Sequence, residues 1–523
     1  MLRAGFAPLA LATFALAGCP SPNTADAGSD VATDLTTDTT NDGVDDVPDD
    51  LIDAGPTRYV MPSCDSPRTA FSPLATRCQH FVDAEGRVVV LHGINARIEG
   101  LFDVTFDDGR MPLEPIPAFT IDDARRMRQL GFSLLRMPVD WSGLEPSDHG
   151  TTQLDPAYLA RMHAVVDLAR QAGVLVLIDF HEDAWSKEIG EDGAPLWSIQ
   201  PPPTMLLGGP LTDLDQRRGS SQVLAAFDTF FADATTGATL RTRFASMAAA
   251  VATSFRGDAA VIGYELFNEP IAAPGDLLRF DTEAAQAVRA ADPDHLVVFE
   301  PSASRNLLDR APLATAPFTV SGGVYAPHIY TLSLNGTDAQ RMAMTRETLR
   351  PSWVNAANER RSWGTPMLVT EWGYGPAGVR AADYFAYQED LQDEFGASAI
   401  FWLWKERSQG GWGLFDHDET TDVWTERAAM RAQLARVMPE AIAGWPTSWG
   451  YDRPTHRFEL RYAGDAAVTA PTRIYVPAPE DFAAAFDVTC DGAMVNATRD
   501  GATGTIDVMC GGAGDHVVVV VGR

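Results

Sequence analysis

The sequence predicts an α/β fold, a (β/α)8 TIM barrel followed by a small C-terminal antiparallel β-sandwich. Between Val88 and Glu406, eight short apolar runs alternate with amphipathic helical segments. Nearly every run finishes in a polar or aromatic cluster. After Met438 the texture changes to short alternating segments cut by Gly, Pro and Asp.

The eight runs are VVVLHGIN (88–95), FSLLRMPV (132–139), VLVLIDFH (174–181), VIGYELFN (261–268), LVVFEPS (296–302), GVYAPHIY (323–330), MLVTEWG (367–373) and AIFWLWKE (399–406). Near-continuous apolar strands belong to parallel sheets, whose two faces are both covered. IDDARRMRQLG and PAYLARMHAVVDLARQAG carry apolar residues at helical spacing, and each closes on a Gly suited to a C-cap. A doubly wound open sheet would satisfy the same alternation. The barrel is preferred because it gathers all strand C-termini at one face, where the polar run ends Asn95, Arg136, His181, Asn268-Glu269, His328, Tyr330, Glu371 and Trp404 would meet.

The chain divides into four segments. Residues 1–19 (MLRAGFAPLALATFALAGC) read as an export signal, with an apolar stretch too short to span a bilayer. Its ending Leu16-Ala17-Gly18-Cys19 resembles the bacterial lipoprotein cleavage box, which implies lipidation of Cys19 and attachment to a membrane; cleavage as an ordinary signal peptide would leave a secreted protein. Residues 20–57 hold ten aspartates and no Lys or Arg, a disordered linker. Residues 58–438 carry the barrel pattern, and 439–523 the sandwich pattern, as in FELRYA, TRIYVP, FDVTCDG, GTIDVMC and HVVVVVGR. The last segment would serve to pack against the barrel or to bind carbohydrate.

A net charge of -31 repels nucleic acid and offers no polybasic patch to a membrane. Export suits disulfides. With Cys19 set aside, short separations suggest Cys64 with Cys78 and Cys490 with Cys510, although spacing does not fix the connectivity. No cysteine has the histidine spacing of a zinc site, so neither metal nor cofactor is expected, and the chain is expected to be a monomer.

Glu269 follows the fourth run and Glu371 lies in the seventh. Across a barrel mouth, two such carboxyls can stand about 5 Å apart, the separation that lets one act as acid/base and the other as nucleophile in a retaining glycosidase. Asn268 would bond the sugar 2-hydroxyl, while Arg136 and Tyr330 would hold Glu371 ionised for attack. Glu269 would need a raised pKa to donate its proton. His181 and His328 would position these groups or the sugar, and Trp404 would offer an apolar face to a pyranose.

Arg136, His181, Asn268-Glu269-Pro270, His328-x-Tyr330, Glu371 and Trp404, in this order on successive strands, resemble glycoside hydrolase family 5, the cellulase-like group of clan A. The resemblance implies Glu269 as acid/base and Glu371 as nucleophile. Within that family, HEDAWSKEIGEDGAPLW (181–197) is similar to the third loop of endoglycoceramidases and related glycolipid glycosidases, which also carry a C-terminal sandwich. This implies Asp183 beside the reacting sugar, with Ser186 and Trp197 shaping the loop. The insertion from Ser198 to Gly237 would form an apolar lip for a lipid aglycone or an ordinary surface loop. Two positions depart from that pattern: Glu182 stands where the relatives usually have Gln, and Asn95-Ala96-Arg97-Ile98-Glu99 lacks their lysine. A polysaccharide endoglucanase or mannanase is the competing enzyme reading. A non-catalytic sugar-binding lipoprotein is the reading from another class.

Overall fold

The computed structural model describes residues 72–311, 320–406, 411–418 and 420–523. The expected signal peptide with Cys19, the aspartate-rich linker and Cys64 lie outside the described residues.

Eight parallel strands form the barrel: β1 (His92–Asn95), β2 (Leu134–Asp140), β3 (Leu175–His181), β4 (Val261–Glu265), β5 (Leu296–Phe299), β6 (Gly323–Tyr325, continuing as His328–Ile329 after Pro327), β7 (Leu368–Trp372) and β8 (Ser398–Phe401). Each pairs with its neighbour in sequence from β1 to β6, and Ala399 of β8 returns to His92 of β1. β6 closes the ring: its first half pairs with β5, and its second half aligns His328 with Glu371 of β7. A further bridge joins Tyr325 to Met367.

Side chains alternate along these strands with a period of two. Leu135 and Met137 of β2, like Val176, Ile178 and Phe180 of β3, pack in the apolar layer shared with the helices. Leu134 and Leu177 point the other way, into a second apolar cluster with Ile262, Leu296, Leu368 and Ile400. Further along that inward face the residues become Arg136, Asp179 and His181, all buried. The inner column is therefore apolar at its floor and ionisable at its mouth. Gly263 lets β4 approach β5, since a Cβ there would stand 2.4 Å from the Leu296 carbonyl oxygen.

The two helices singled out by periodicity are α1 (Ile121–Gln129) and α2 (Pro156–Ala172). Thr120 and Asp123 cap α1 reciprocally, and Gly173 ends α2 at φ +73°. The insertion is more than a loop. Ser221–Ala232 is a helix whose Phe227, Phe230 and Phe231 are buried among Trp185, Phe244, Phe267 and Phe280.

The run 88–95 does not form one strand. Val88–Val89 pairs with Met438–Ile442, and only His92–Asn95 enters the barrel. Strands Ala75–Arg77, His80–Val82 and Val88–Val89 complete a six-stranded sheet with Met438–Ile442, Thr472–Tyr475 and Thr505–Val508. Residues 75–89, placed in the barrel segment by sequence, thus belong to the sandwich by pairing, because too little chain separates them from β1 for a second covering helix. The facing five-stranded sheet includes Gly444–Asp452, Arg457–Gly464, Phe486–Cys490 and Gly514–Gly522. A disulfide joins Cys490 to Cys510, and Cys78 is also disulfide-bonded.

The sandwich is fastened to the barrel helices by polar contacts. Arg128 of α1 grips Glu440 through two bonds of 2.6 and 2.8 Å, Trp449 donates to Asp393 at 2.8 Å, and the Tyr475 hydroxyl donates to the Gln129 carbonyl at 2.9 Å. Among the described residues no helix is long and apolar enough to cross a membrane.

Candidate active site

Arg136 is the hub of the barrel mouth. It has no solvent exposure, and its guanidinium donates to Glu265 (2.6 Å), Glu371 (2.8 Å), Asn268 (2.9 Å) and Asn95 (3.1 Å) while standing 3.1 Å from Asp179 and 3.4 Å from Glu300. A permanent cation among buried carboxylates is the condition under which they can stay charged without water. Even so, burial pushes Asp179 up to about 6 against the pull of Arg136, and pushes Glu300 well above the carboxylate range.

Glu269 follows β4 at φ +46°, a conformation that side-chain-bearing residues rarely adopt. Its backbone N–H donates to Glu300 Oε2 at 3.1 Å. The preceding Asn268 is fixed at both ends of its amide: Oδ1 accepts from Arg136, and Nδ2 donates to the Glu182 carbonyl at 2.8 Å. On the facing strand Glu371 receives Arg136 on Oε1 and the Tyr330 hydroxyl on Oε2, the latter at 2.8 Å.

His328 joins the two carboxylates. Its Nδ1 stands 2.7 Å from Glu269 Oε1 and 3.5 Å from Glu371 Oε2, and carboxylate oxygens of the two glutamates lie within 4.8 Å of each other. Burial alone would discharge His328, but Glu300, Glu371 and Glu269 together hold it well above the usual imidazole range. This changes the expectation for Glu269. Burial raises its carboxyl pKa, yet the hydrogen bond and charge of His328 outweigh burial and hold it below the usual range. His181 behaves oppositely: burial and Arg136 push it down to about 3, so it is a neutral ring whose Nδ1 meets Asp179 Oδ2 at 2.6 Å.

The structure moves the aromatic platform. Trp404 is buried, donates from its indole to Asp123 at 3.0 Å, and packs edge-on against Phe415 at 4.6 Å, so it is a core residue rather than a sugar platform. The run 399–406 reads as strand throughout, but β8 ends at Phe401, so Trp404 lies beyond the strand end. Trp402 is half-buried and stacks on His181 at 5.9 Å with an interplanar angle of 11°. Arg97 lies 5.3 Å from the Trp402 ring and is paired with Glu114 and Glu191, which brings a cation to the stretch that lacks the relatives' lysine.

Asp183 lies in the same loop as expected, but its carboxylate is gripped by Arg218 of the insertion, with Nε donating at 2.8 Å. Ser186 donates to the Ala194 carbonyl at 2.5 Å, and Trp197 to the Glu145 carbonyl at 2.9 Å, tying the loop to itself and to the barrel. Burial, reinforced by Asp183, pushes the Glu182 carboxyl well above its usual range. A neutral glutamic acid has nearly the shape and the donor-acceptor character of the Gln usual at this place.

Asp179, Glu265, Glu300 and Asn306 were missed by sequence reasoning. Asp179 lies two residues before His181 and shares its face, a signal that period-two counting supplies. Glu300 directly follows β5 and could have been found as another polar run end. Asn306 donates to Glu269 Oε1 at 2.6 Å from a loop helix with no periodic signature. At the barrel mouth two sets of side chains have the spacing to hold a metal ion, Glu269 with His328 and Glu371, and Glu265 with Glu300 and His328; in both the imidazole already meets carboxylates.

An eight-stranded barrel with two opposed carboxylates at its mouth defines the class of the protein as a glycoside hydrolase. The chain belongs to glycoside hydrolase family 5: residues 116–408, more than half of it, match the family model for cellulase (glycosyl hydrolase family 5), and residues 436–521 match the family 5 C-terminal domain. It is 28% identical over 435 residues to endoglycoceramidase I of Rhodococcus hoagii, covering 78% of this chain and 81% of that protein. It is 24% identical over 455 residues to an endoglycoceramidase of Cyanea nozakii, covering 76% and 81%. The solved structure of endo-glycoceramidase II from Rhodococcus sp. superimposes with a TM-score of 0.68 at 26% identity, covering 84% of this chain and 99% of that one.

Proposed function

We propose that this glycoside hydrolase is a retaining β-glycosidase that cleaves glycolipids between sugar and lipid. The observation that carries the reading is the pair of glutamates with oxygens within 4.8 Å, spanned by His328. Glu371, held by Arg136 and Tyr330, attacks the anomeric carbon; the bond to the aglycone oxygen breaks as Glu269 gives that oxygen a proton. In the second step Glu269 takes a proton from water, whose oxygen displaces Glu371 and restores both carboxyls. Asn268 is placed to bond the 2-hydroxyl, and Trp402 to lie under the sugar. A lactosyl-enzyme intermediate and a ganglioside GM3 complex of the Rhodococcus sp. enzyme support the retaining route and the glycolipid substrate.

The exposed apolar residues favour lipid over polysaccharide. Among the described residues every strongly exposed large apolar side chain is aliphatic; Ile271 lies two residues after Glu269, Leu307 and Leu308 follow Asn306 in the chain, and Met205 and Leu206 lie in the insertion. Polysaccharide clefts use exposed aromatic rings for sugar faces, whereas hydrocarbon chains need only apolar area. Product analysis on glucosylceramide, lactosylceramide, a ganglioside, cellulose and mannan tests this. Release of free ceramide with an intact glycan is expected; turnover of cellulose or mannan alone would overturn it.

Export and attachment through acylated Cys19 would bring the enzyme to a membrane, a reading supported by the sequence of residues 1–57 and by the Cys490–Cys510 disulfide. Metabolic palmitate labelling of the wild type and of Cys19→Ser tests it, with label expected only in the former.

A further inference from the structure

Two hydrogen bonds converge on one oxygen of Glu269. His328 Nδ1 reaches Oε1 at 2.7 Å and Asn306 Nδ2 reaches the same Oε1 at 2.6 Å, while among the described residues no protein group bonds Oε2. An oxygen that accepts two donors is where the carboxylate's charge concentrates, so a proton added to this group sits on the other oxygen.

We propose that Asn306 is a positioning residue of the acid/base: with His328 it saturates Oε1 of Glu269 and so assigns Oε2 as the oxygen that gives the aglycone its proton and later takes one from water. This rests on the reading of Glu269 as acid/base.

The surroundings fix Asn306 in that task. The residue is only 7% exposed, so water cannot readily replace its bond. Its helix, Arg305–Leu308, is pinned by the fully buried Arg305, which donates to Glu359 (2.9 Å), the His328 carbonyl (2.8 Å) and the Ser352 carbonyl (3.0 Å). The two donors to Oε1 are therefore tied to each other through Arg305. From below, Glu300 holds the Glu269 N–H, so the carboxyl is fixed at both its backbone and its inner oxygen. The other charged groups around Glu269 are Glu371 on β7, and Glu182, Asp183 and Arg218 from the loop after β3 and the insertion.

The test compares leaving groups on one sugar, using phenyl and 2,4-dinitrophenyl β-lactosides or the corresponding glycosides of whichever sugar the wild type hydrolyses. Dinitrophenolate departs without a proton; phenolate needs one. Asn306→Ala should lose roughly 10- to 100-fold in kcat/KM on the phenyl glycoside and less than about 3-fold on the dinitrophenyl glycoside. Asn306→Asp keeps the shape but faces Oε1 with an acceptor; it should show the same selective loss and move the basic limb of the pH profile upward, and it carries the test where the alanine variant does not fold. Equal losses on both substrates, or none on either, would overturn the proposal. Glu269→Ala run in parallel separates the two ideas: leaving-group dependence there but not in the Asn306 variants sinks the positioning role alone, and its absence in both sinks the acid/base assignment as well.

Discussion

His328 stands between the two carboxyls of the reaction, its Nδ1 2.7 Å from Glu269 and 3.5 Å from Glu371. In the double displacement proposed above, negative charge leaves Glu371 when the glycosyl ester forms and appears on Glu269 when its proton departs. One imidazole beside both can serve each charge in turn without moving, which avoids reorganisation during the reaction.

The first prediction concerns the pair themselves. Glu371→Gln should reduce turnover to background on every substrate, because no bond to the anomeric carbon can form. Glu269→Ala should lose roughly 100- to 10,000-fold on substrates with poor leaving groups. On the dinitrophenyl glycoside it should accumulate the glycosyl-enzyme, and azide should accelerate turnover and yield a β-glycosyl azide. An α-glycosyl azide would contradict retention.

A second prediction follows from the coupled titration of Glu269 and His328, in which one proton rests either on Glu269 Oε2 or on the imidazole. Each site alters the other, so the proton losses belong to the pair. With Glu269 held low and His328 well above its usual range, the pair keeps one proton over a wide span, and the reactive form is the one with that proton on Glu269. The basic limb of kcat/KM therefore reports loss of the last shared proton. His328→Gln removes one of the two sites, so Glu269 alone must hold the proton, and the basic limb should move to lower pH. An unchanged limb in the pH profile would exclude the shared proton.

How much of this could be read from sequence depended on position. Glu269, Glu371, Arg136, His328 and Tyr330 all lie on or directly beyond strands, where apolar runs end in unexpected polar residues, and such contrast survives without coordinates. Trp404 failed because the apolar texture of its run continues past Phe401, where β8 ends, so a buried tryptophan there looks the same as one at the mouth. Val88–Val89 looked continuous with β1 because both segments are apolar, and only pairing with Met438–Ile442 separates them. Glu300 stands in plain sight as a polar run end, but its bond to residue 269, like that of Asn306, is made across the fold, 31 and 37 positions away, and no local pattern encodes it.

The tryptophans supply a third prediction with opposite readouts. Trp402→Ala should lower kcat/KM by roughly 10-fold or more, from the loss of a sugar-stacking face worth about 1.5 kcal/mol, with little change in Tm. Trp404→Phe should leave KM nearly unchanged and lower stability by about 1 to 3 kcal/mol, because the buried Asp123 loses a donor. Thermal melts and steady-state kinetics on both variants decide it.

A fourth prediction addresses the exposed aliphatic residues of the insertion. Met205→Ser with Leu206→Ser should raise KM on micellar glycolipid several-fold, since each removes exposed aliphatic area available to hydrocarbon. The same double variant should hydrolyse a soluble aryl glycoside at the wild-type rate. Equal kinetics on both substrates would remove the insertion from lipid recognition.

The last prediction is about the cost of the hub. Arg136→Met has similar length but leaves Asp179, Glu265, Glu300 and Glu371 without their shared cation in a site closed to water. Breaking a buried ion pair from one side costs about 3 to 5 kcal/mol. The pH dependence has a defined sign. Asp179, already at about 6, and Glu300, already well above the carboxylate range, would rise further in the folded state while their unfolded values stay put. Groups raised on folding bind protons more tightly in the native protein, so their contribution is intact at low pH and lost as pH climbs through the folded values. Denaturant titrations of Arg136→Met should therefore show a deficit against wild type that grows from pH 5 to pH 8. A deficit independent of pH would mean that packing, not charge, is what Arg136 supplies.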